Sequence, residues 1–131
     1  MTEIEKTEKI TINLGPVDLG QIDLLVQEGF YANRTDFIRT AIRNQITTHA
    51  DVVKRAVARK MLVLGLQHYT RQDLEAVRAA GEKLQINVLG LASIAEDVSP
   101  ELALATIDSV VVLGAFRASS QVKAALAGRI T

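Results

Sequence analysis

The first patterned segment, residues 8–14, alternates strictly between polar and apolar side chains. A period of two residues predicts a half-buried β-strand. The pattern that follows is helical, so this strand has no neighbouring strand in its own segment of the chain. The apolar residues, predicted to face a core, are Ile10, Ile12 and Leu14, and the polar residues, predicted to face outward, are Lys9, Thr11 and Asn13.

Two helical patterns follow the predicted strand. Pro16 suits the first position of a helix, and Gly29 suits a left-handed cap at its end. Asn33 is a favourable N-cap for the second helix, and Asp36, three residues later, suits the positive end of the helix dipole. The second helix is predicted to run to about Thr48. Its apolar stripe comprises Phe37, Ile38, Ala41, Ile42 and Ile46.

From residue 61 onward, short apolar runs alternate with helical patterns. The tripeptide Val-Leu-Gly occurs at residues 63–65, 88–90 and 112–114, so its glycines are 25 and then 24 residues apart. A helix candidate follows each run, with Thr70 as the cap of 71–83, Ser99 before Pro100, and Ser119 or Ser120 as the cap of 121–127. We interpret these as three strand–helix units whose strands pair in parallel. The repeated glycine marks a bend or a close backbone approach.

Composition narrows the class of protein. The chain has 131 residues, 48% of them hydrophobic, with 15 basic and 15 acidic residues and no cysteine. This composition predicts a folded chain without disulfides or thiolate metal sites. The net charge alone does not indicate a nucleic-acid partner. No apolar run approaches membrane-spanning length, and the polar, acidic N-terminus does not fit a signal peptide. We expect a cytoplasmic protein with no membrane partner, and a flexible tail at residues 1–7.

The isolated strand poses a problem that a second copy of the chain would solve. Its backbone groups need hydrogen-bond partners and its apolar side needs cover, and two helices alone cannot supply both. If two strands pair antiparallel about a twofold axis, four helices can pack beneath them. The predicted dimer core comprises Ile10, Ile12, Leu14, Ile38 and Ile42.

The segment EKITINLGPVDLGQIDLLVQEGFYANRTDFIRTAIRNQI, residues 8–46, resembles the ribbon–helix–helix DNA-binding family of the CopG, MetJ and Arc type. The resemblance implies an intertwined homodimer over residues 8–48, whose ribbon reads bases in the major groove of double-stranded DNA. It also implies that the start of the second helix holds phosphate, a role that suits free amides at a helix N-terminus. By this resemblance, the base-contacting residues are Lys9, Thr11 and Asn13, and the phosphate-contacting residues are Asn33, Arg34 and Thr35.

The chain departs from a simple regulator of this type at both ends. Acidic residues Glu3, Glu5 and Glu8 stand close to the predicted DNA-binding strand and would weaken affinity. The sequence therefore predicts an α+β ribbon–helix–helix dimer, a basic linker helix at 49–60, and a small α/β domain at 61–131 with about three strand–helix repeats. Three parallel strands leave two open edges, so residues 61–131 are expected to form a higher oligomer; a monomeric ligand-sensing or structural module is the alternative.

These patterns favour a sequence-specific DNA-binding transcriptional regulator that acts as a repressor. Two alternatives remain: an antitoxin that regulates its own operon and neutralises a toxin partner through the C-terminal region, or a plasmid partition or conjugation accessory protein. The N-terminal pattern could also be an ordinary fragment of an α+β domain. No catalytic or cofactor motif is found, and the two histidines, His49 and His68, lack a recognised spacing for metal ligands. We therefore expect no enzyme activity, cofactor or metal.

Overall fold

A computed structural model describes residues 7–131, which form two compact units, Thr7–Arg55 and Ala56–Thr131. The tail predicted at residues 1–7 lies outside the described residues except for Thr7, as do Glu3 and Glu5. No helix within 7–131 is both long enough and apolar enough to cross a membrane.

The N-terminal unit contains helix α1 (Pro16–Gln27), helix α2 (Arg34–Thr48) and the first part of helix α3 (Ala50–Arg59). As predicted, Pro16 occupies the first turn of α1. Gly29 adopts a φ of 87°, and the amides after α1 donate back to carbonyls in its last turn, so the predicted left-handed cap is confirmed.

The strand predicted at residues 8–14 is not formed within the single chain. Residues 7–15 belong to no helix or strand, and the sheet of the other unit does not include them. The physical reason is that a β-strand forms only beside a second strand that completes its hydrogen bonds. No such strand lies in residues 16–55, which are helices and turns.

The C-terminal unit is built from three strands that alternate with helices. The strands form one sheet in the order β1-β2-β3, and both pairings are parallel, which confirms the predicted topology. The elements are β1 (Val63–Tyr69), α4 (Arg71–Ala79), β2 (Leu84–Ile94), α5 (Pro100–Thr106), β3 (Ile107–Arg117) and α6 (Ser120–Ala125), followed by a 3-10 turn at Ala127–Arg129.

The helices of this unit begin where short polar side chains cap them. Thr70 forms a capping box with Asp73, and the hydrogen bond from the Thr70 amide lowers the pKa of the Asp73 carboxyl. Ser99 and Ser119 each accept a hydrogen bond from a first-turn amide, as the sequence predicts. The first of these helices ends at Ala79 rather than at residue 83, because the chain turns at Gly81 with a φ of 69°.

The repeated glycines lie side by side across the three strands. Gly65 is paired with Gly90, and Gly90 with Gly114, so the Val-Leu-Gly repeats are in register. A Cβ atom on Gly90 would lie 2.2 Å from the carbonyl oxygen of Gly65, and one on Gly114 would lie 2.1 Å from that of Gly90. All three glycines have positive φ values, between 122° and 141°. The predicted close backbone approach is therefore confirmed, and only glycine fits it.

One face of the sheet carries the core of the C-terminal unit. Side chains of β2 and β3 on this face pack against α4, α5 and α6, with Ile86, Val88 and Val110 at 1% exposure or less. Thr106, the polar residue that is fully buried here, donates to the carbonyl of Leu102 at 2.7 Å. This core holds the three strand–helix units together as a single body.

Within residues 7–131, the opposite face of the sheet has two rows of aliphatic side chains across the strands, exposed on the outer strands, whereas Leu91 of the central strand is 7% exposed. Leu64 and Leu66 of β1 are 71% and 54% exposed, and Leu113 of β3 is 48% exposed. A polar row borders them at the carboxyl ends of the strands, where His68 and Ser93 are joined by a 2.7 Å hydrogen bond. The aliphatic rows, which we call the leucine face, are Leu64, Leu89 and Leu113, and Leu66, Leu91 and Ala115.

The two sheet edges differ, which corrects the expectation that both are open. Ile130 forms a parallel bridge with Val110, and the amide of Thr131 donates to the Val110 carbonyl at 2.9 Å. The end of the chain thus occupies part of the β3 edge. Arg129 holds this segment in place, since its guanidinium donates to the carbonyls of Leu104 and Ile107 at 2.7 Å each.

Candidate nucleic-acid interface

The N-terminal unit lacks a core of its own. Within Thr7–Arg55, Ile22 is the single buried residue, and α2 and the described part of α3 contribute none. Helices of this size gain their stability from packing an apolar face rather than from local propensity. The apolar side chains of α1 and α2 are therefore largely uncovered in the single chain.

The uncovered stripes form an open groove of about 410 Å³. Both helices contribute walls, and the extended segment before α1 lies against one side. Eight of its ten lining residues are aliphatic or aromatic, the chemistry of a protein interior more than of a polar ligand site. The groove, which we call the apolar groove, is lined by Ile12, Leu14, Asp18, Gln21, Ile22, Leu25, Phe37, Ile38, Ala41 and Ile42.

Four of the five residues predicted for the dimer core meet at this groove. Ile12, Leu14, Ile38 and Ile42 all line it, although they belong to two different segments of the chain. Ile10 does not, and its side chain is 74% exposed. The structure thus brings together the strand and helix members of the predicted set, with Ile10 extending beyond the groove.

The polar residues of the same segment are exposed. Lys9, Thr11 and Asn13 are each in the exposed class and are absent from the lining of the apolar groove. Ile12 and Leu14 line the groove, whereas none of the three polar residues does.

The start of α2 is shaped by Asn33. Its side-chain oxygen accepts from the Asp36 amide at 2.8 Å, and Asp36 in turn accepts from the Ala32 amide at 2.9 Å. Asn33 is therefore the N-cap, as predicted, and its side-chain oxygen is already engaged. Helix geometry leaves the amides of Arg34 and Thr35 without an intrahelical acceptor, so an anion at this end would meet backbone donors.

The Arg34 guanidinium has an acidic partner on the preceding helix. Its Nε donates to Oδ1 of Asp23 at 2.8 Å, and its Nη2 donates to Oδ2 at 2.9 Å. These hydrogen bonds lower the pKa of the Asp23 carboxyl and raise the pKa of Arg34. Asp23 was not among the predicted site residues, because its position eleven residues before Arg34, on another helix, carries no recognisable spacing.

A second, shallower apolar surface continues from α2 to α3. It measures about 360 Å³ and is lined by Ile42, Gln45, Ile46, His49 and Val53. The side chains of Gln45 and His49 lie 3.3 Å apart across it. Apolar surface thus runs along most of α2, which fits a helix that packs against another copy along its length.

The predicted basic linker helix and the question of a metal site concern other parts of the chain. The basic residues Lys54, Arg55, Arg59 and Lys60 are exposed on or just after α3. Over residues 7–131, no group of three or more histidine, aspartate or glutamate side chains is placed to hold a metal ion.

A family model described as the Ribbon-Helix-Helix transcriptional regulator family matches residues 5–123 of this chain. The match extends through both units, so the chain belongs to this family of DNA-binding transcriptional regulators. Searches of curated proteins and of solved structures gave no match.

Proposed function

We propose that this protein is a homodimeric, sequence-specific repressor in which two chains intertwine through residues 8–48. The apolar groove carries the proposal, because a unit with one buried side chain and about 410 Å³ of open apolar space is half of a hydrophobic core. Pairing of residues 8–14 with the same segment of a second chain would satisfy their backbone groups and cover both grooves at once.

In such a dimer, the paired strands present Lys9, Thr11 and Asn13 from each chain to the major groove of DNA. A two-stranded ribbon fits this groove, and the three residue types match base edges. Lysine donates to guanine, asparagine pairs with adenine, and threonine offers both a hydroxyl and a methyl group. Base reading would come from these side chains, while the proposed phosphate contacts of Asn33, Arg34 and Thr35 would fix the register on the duplex.

Replacing Thr11 by alanine is expected to weaken binding to the preferred site while leaving the dimer folded. Each lost base contact costs about 1–3 kcal/mol, and the dimer loses one from each chain. The preferred site is first selected from random duplexes, and affinity is then measured at fixed salt. Thr48→Ala is the matched control, because Thr48 is also exposed but bonds only to the Asn44 carbonyl at the far end of α2. Equal affinities for the two variants would contradict base reading by Thr11.

The ordered C-terminal unit supports a repressor over an antitoxin. Toxin-neutralising segments of regulators with this module are often flexible, whereas Ala56–Thr131 contains a three-stranded sheet with a packed aliphatic core. A partition or conjugation protein would make the same DNA contacts and would differ from a repressor in the arrangement of the DNA sites that it binds.

The C-terminal unit is also proposed to join dimers into higher oligomers, with the leucine face as the contact surface. Sheets made only of parallel strands are normally covered on both faces, and this sheet has helices on one. The leucine face is aliphatic and fits the same face of another copy. Linked dimers would bind adjacent DNA sites with greater avidity.

The leucine face can be tested by sizing the full-length protein. Leu66→Glu is expected to convert a tetramer or larger assembly into dimers, because it places a charge in the centre of an apolar contact. Leu104→Glu is the control, since Leu104 is exposed on α5, the helix side of the sheet. Mass photometry and analytical ultracentrifugation distinguish the species. A wild-type protein that remains dimeric at high micromolar concentration would contradict this part of the proposal.

A further inference from the structure

The ion pair between Arg34 and Asp23 occupies the place where the proposed function puts a phosphate. Arg34 is the first residue of α2, and the carboxylate of Asp23, on α1, engages its guanidinium through two hydrogen bonds of 2.8 and 2.9 Å. Bidentate pairs of this kind are the strongest and most directional contacts that arginine makes with carboxylates. A DNA phosphate would therefore encounter a paired guanidinium.

Pairing leaves Arg34 able to donate, but the Asp23 carboxylate offsets its positive charge. A guanidinium has five N–H donors, and the Asp23 carboxylate takes two of them. The remaining three can still reach a phosphate oxygen. The arginine and the aspartate together carry no net charge, however, and attraction to the DNA backbone depends on the positive charge that replaces bound counterions.

We propose that Asp23 withholds the charge of Arg34 from the DNA backbone and so sets the strength and salt dependence of binding without altering base preference. This inference rests on the proposed DNA-binding function. It assigns Asp23 a role that lowers the affinity for DNA. Attraction to the DNA backbone is independent of sequence, so a stronger attraction would hold the protein on the many non-specific sites of a genome.

The surroundings of the pair support this role. Asp23 and Arg34 are 46% and 56% exposed at the side chain, so the pair is within reach of a polyanion at the start of α2. Because the hydrogen bonds from Arg34 lower the pKa of Asp23, the carboxylate is charged throughout the neutral range in which DNA binding takes place. The pair and the backbone amides of Arg34 and Thr35 belong to the same end of α2, where the helix dipole adds to any positive charge.

The test compares Asp23→Asn with the wild-type full-length protein on duplex DNA over a range of salt concentrations. The amide keeps the shape of the side chain and removes its charge. Each dimer then presents two additional uncompensated Arg34 charges, so the plot of log affinity against log salt is expected to steepen by about 1.8, at about 0.9 per phosphate. With the two plots meeting near 1 M salt, this slope corresponds to roughly 60-fold higher affinity in about 0.1 M salt, equally for random and for selected duplexes.

Two controls separate this role from a general charge effect. Glu28→Gln removes the same charge at the C-terminal cap of α1 and is expected to change the slope far less. In an Arg34→Ala background, Asp23→Asn is expected to have no further effect, because the charge that it releases is absent. Circular dichroism and sizing check that every variant remains folded and dimeric.

The outcomes separate the two proposals. If the wild-type protein binds DNA and Asp23→Asn leaves the slope unchanged or lowers affinity, Asp23 does not mask Arg34 and this inference is overturned, while the DNA-binding function stands. If the effect of Asp23→Asn persists in the Arg34→Ala background, the masking is likewise rejected. If the wild-type protein binds no duplex at low ionic strength, the proposed function fails and this inference with it.

Discussion

Replacing Gly90 by alanine is expected to destabilise the C-terminal unit by more than about 4 kcal/mol, a size seen only for severe core or backbone defects. The new Cβ would lie 2.2 Å from the carbonyl oxygen of Gly65, a backbone atom held by the sheet. It would also force a φ of 141° on a residue with a side chain. The strands β1 and β2 would have to separate at their centre to admit it.

Gly114→Ala and Gly65→Ala test whether the close backbone approach, and not the backbone conformation alone, causes the loss of stability. A Cβ on Gly114 would lie 2.1 Å from the carbonyl oxygen of Gly90, so its replacement is expected to be as destabilising as that of Gly90. Gly65 has no atom within 4 Å of its Cβ position, and its replacement adds only the strain of a φ of 131°, about 1–3 kcal/mol. Thermal and urea unfolding of the three full-length variants measures the order. Equal losses at Gly65 and Gly90 would show that the glycines serve backbone conformation alone and not close approach.

The repeated glycines also show which part of the fold is readable from sequence. The Val-Leu-Gly spacing and the serine and threonine caps are local signals, and they predicted three parallel strands and the starts of the helices after them. The full lengths of β2 and β3, 11 residues each, were not predicted, because their first residues lie in segments without an apolar run. The bridge from Ile130 to β3 was not predicted for a different reason, because it joins positions that are far apart in the chain.

In the N-terminal site, too, local features could be predicted from the sequence and long-range features could not. Of the apolar residues in the alternating segment 8–14, Ile12 and Leu14 line the groove and Ile10 does not, and Asn33 was recognisable as a cap. The strand itself is absent from the single chain, since a strand needs a second strand to pair with and residues 16–55 contain none. The Asp23 pair could not be predicted, because it depends on how α1 and α2 pack, which residue spacing does not encode.

Replacing Ile12 by lysine is expected to abolish the dimer at micromolar concentrations and, with it, DNA binding. Ile12 lines the apolar groove, and in the proposed dimer its side chain enters the shared core, where an unpaired ammonium group costs several kcal/mol. The N-terminal unit is expected to lose helix content as well, since one buried residue cannot hold two helices together. Sedimentation, far-ultraviolet circular dichroism and DNA binding report on these three effects.

Thr11→Lys is the decisive comparison, because it introduces the same side chain at the neighbouring position, which faces the other way in an extended strand. That variant is expected to remain dimeric and to bind DNA with altered site preference and a steeper salt dependence, since the new charge lies on the outer face of the ribbon. The reverse result, a dimeric Ile12→Lys and a monomeric Thr11→Lys, would mean that the strand pairs with its polar side inward. A one-residue change of register exchanges the two faces of a strand, and the assignment of Lys9, Thr11 and Asn13 to the DNA would then fail together with that of the dimer core.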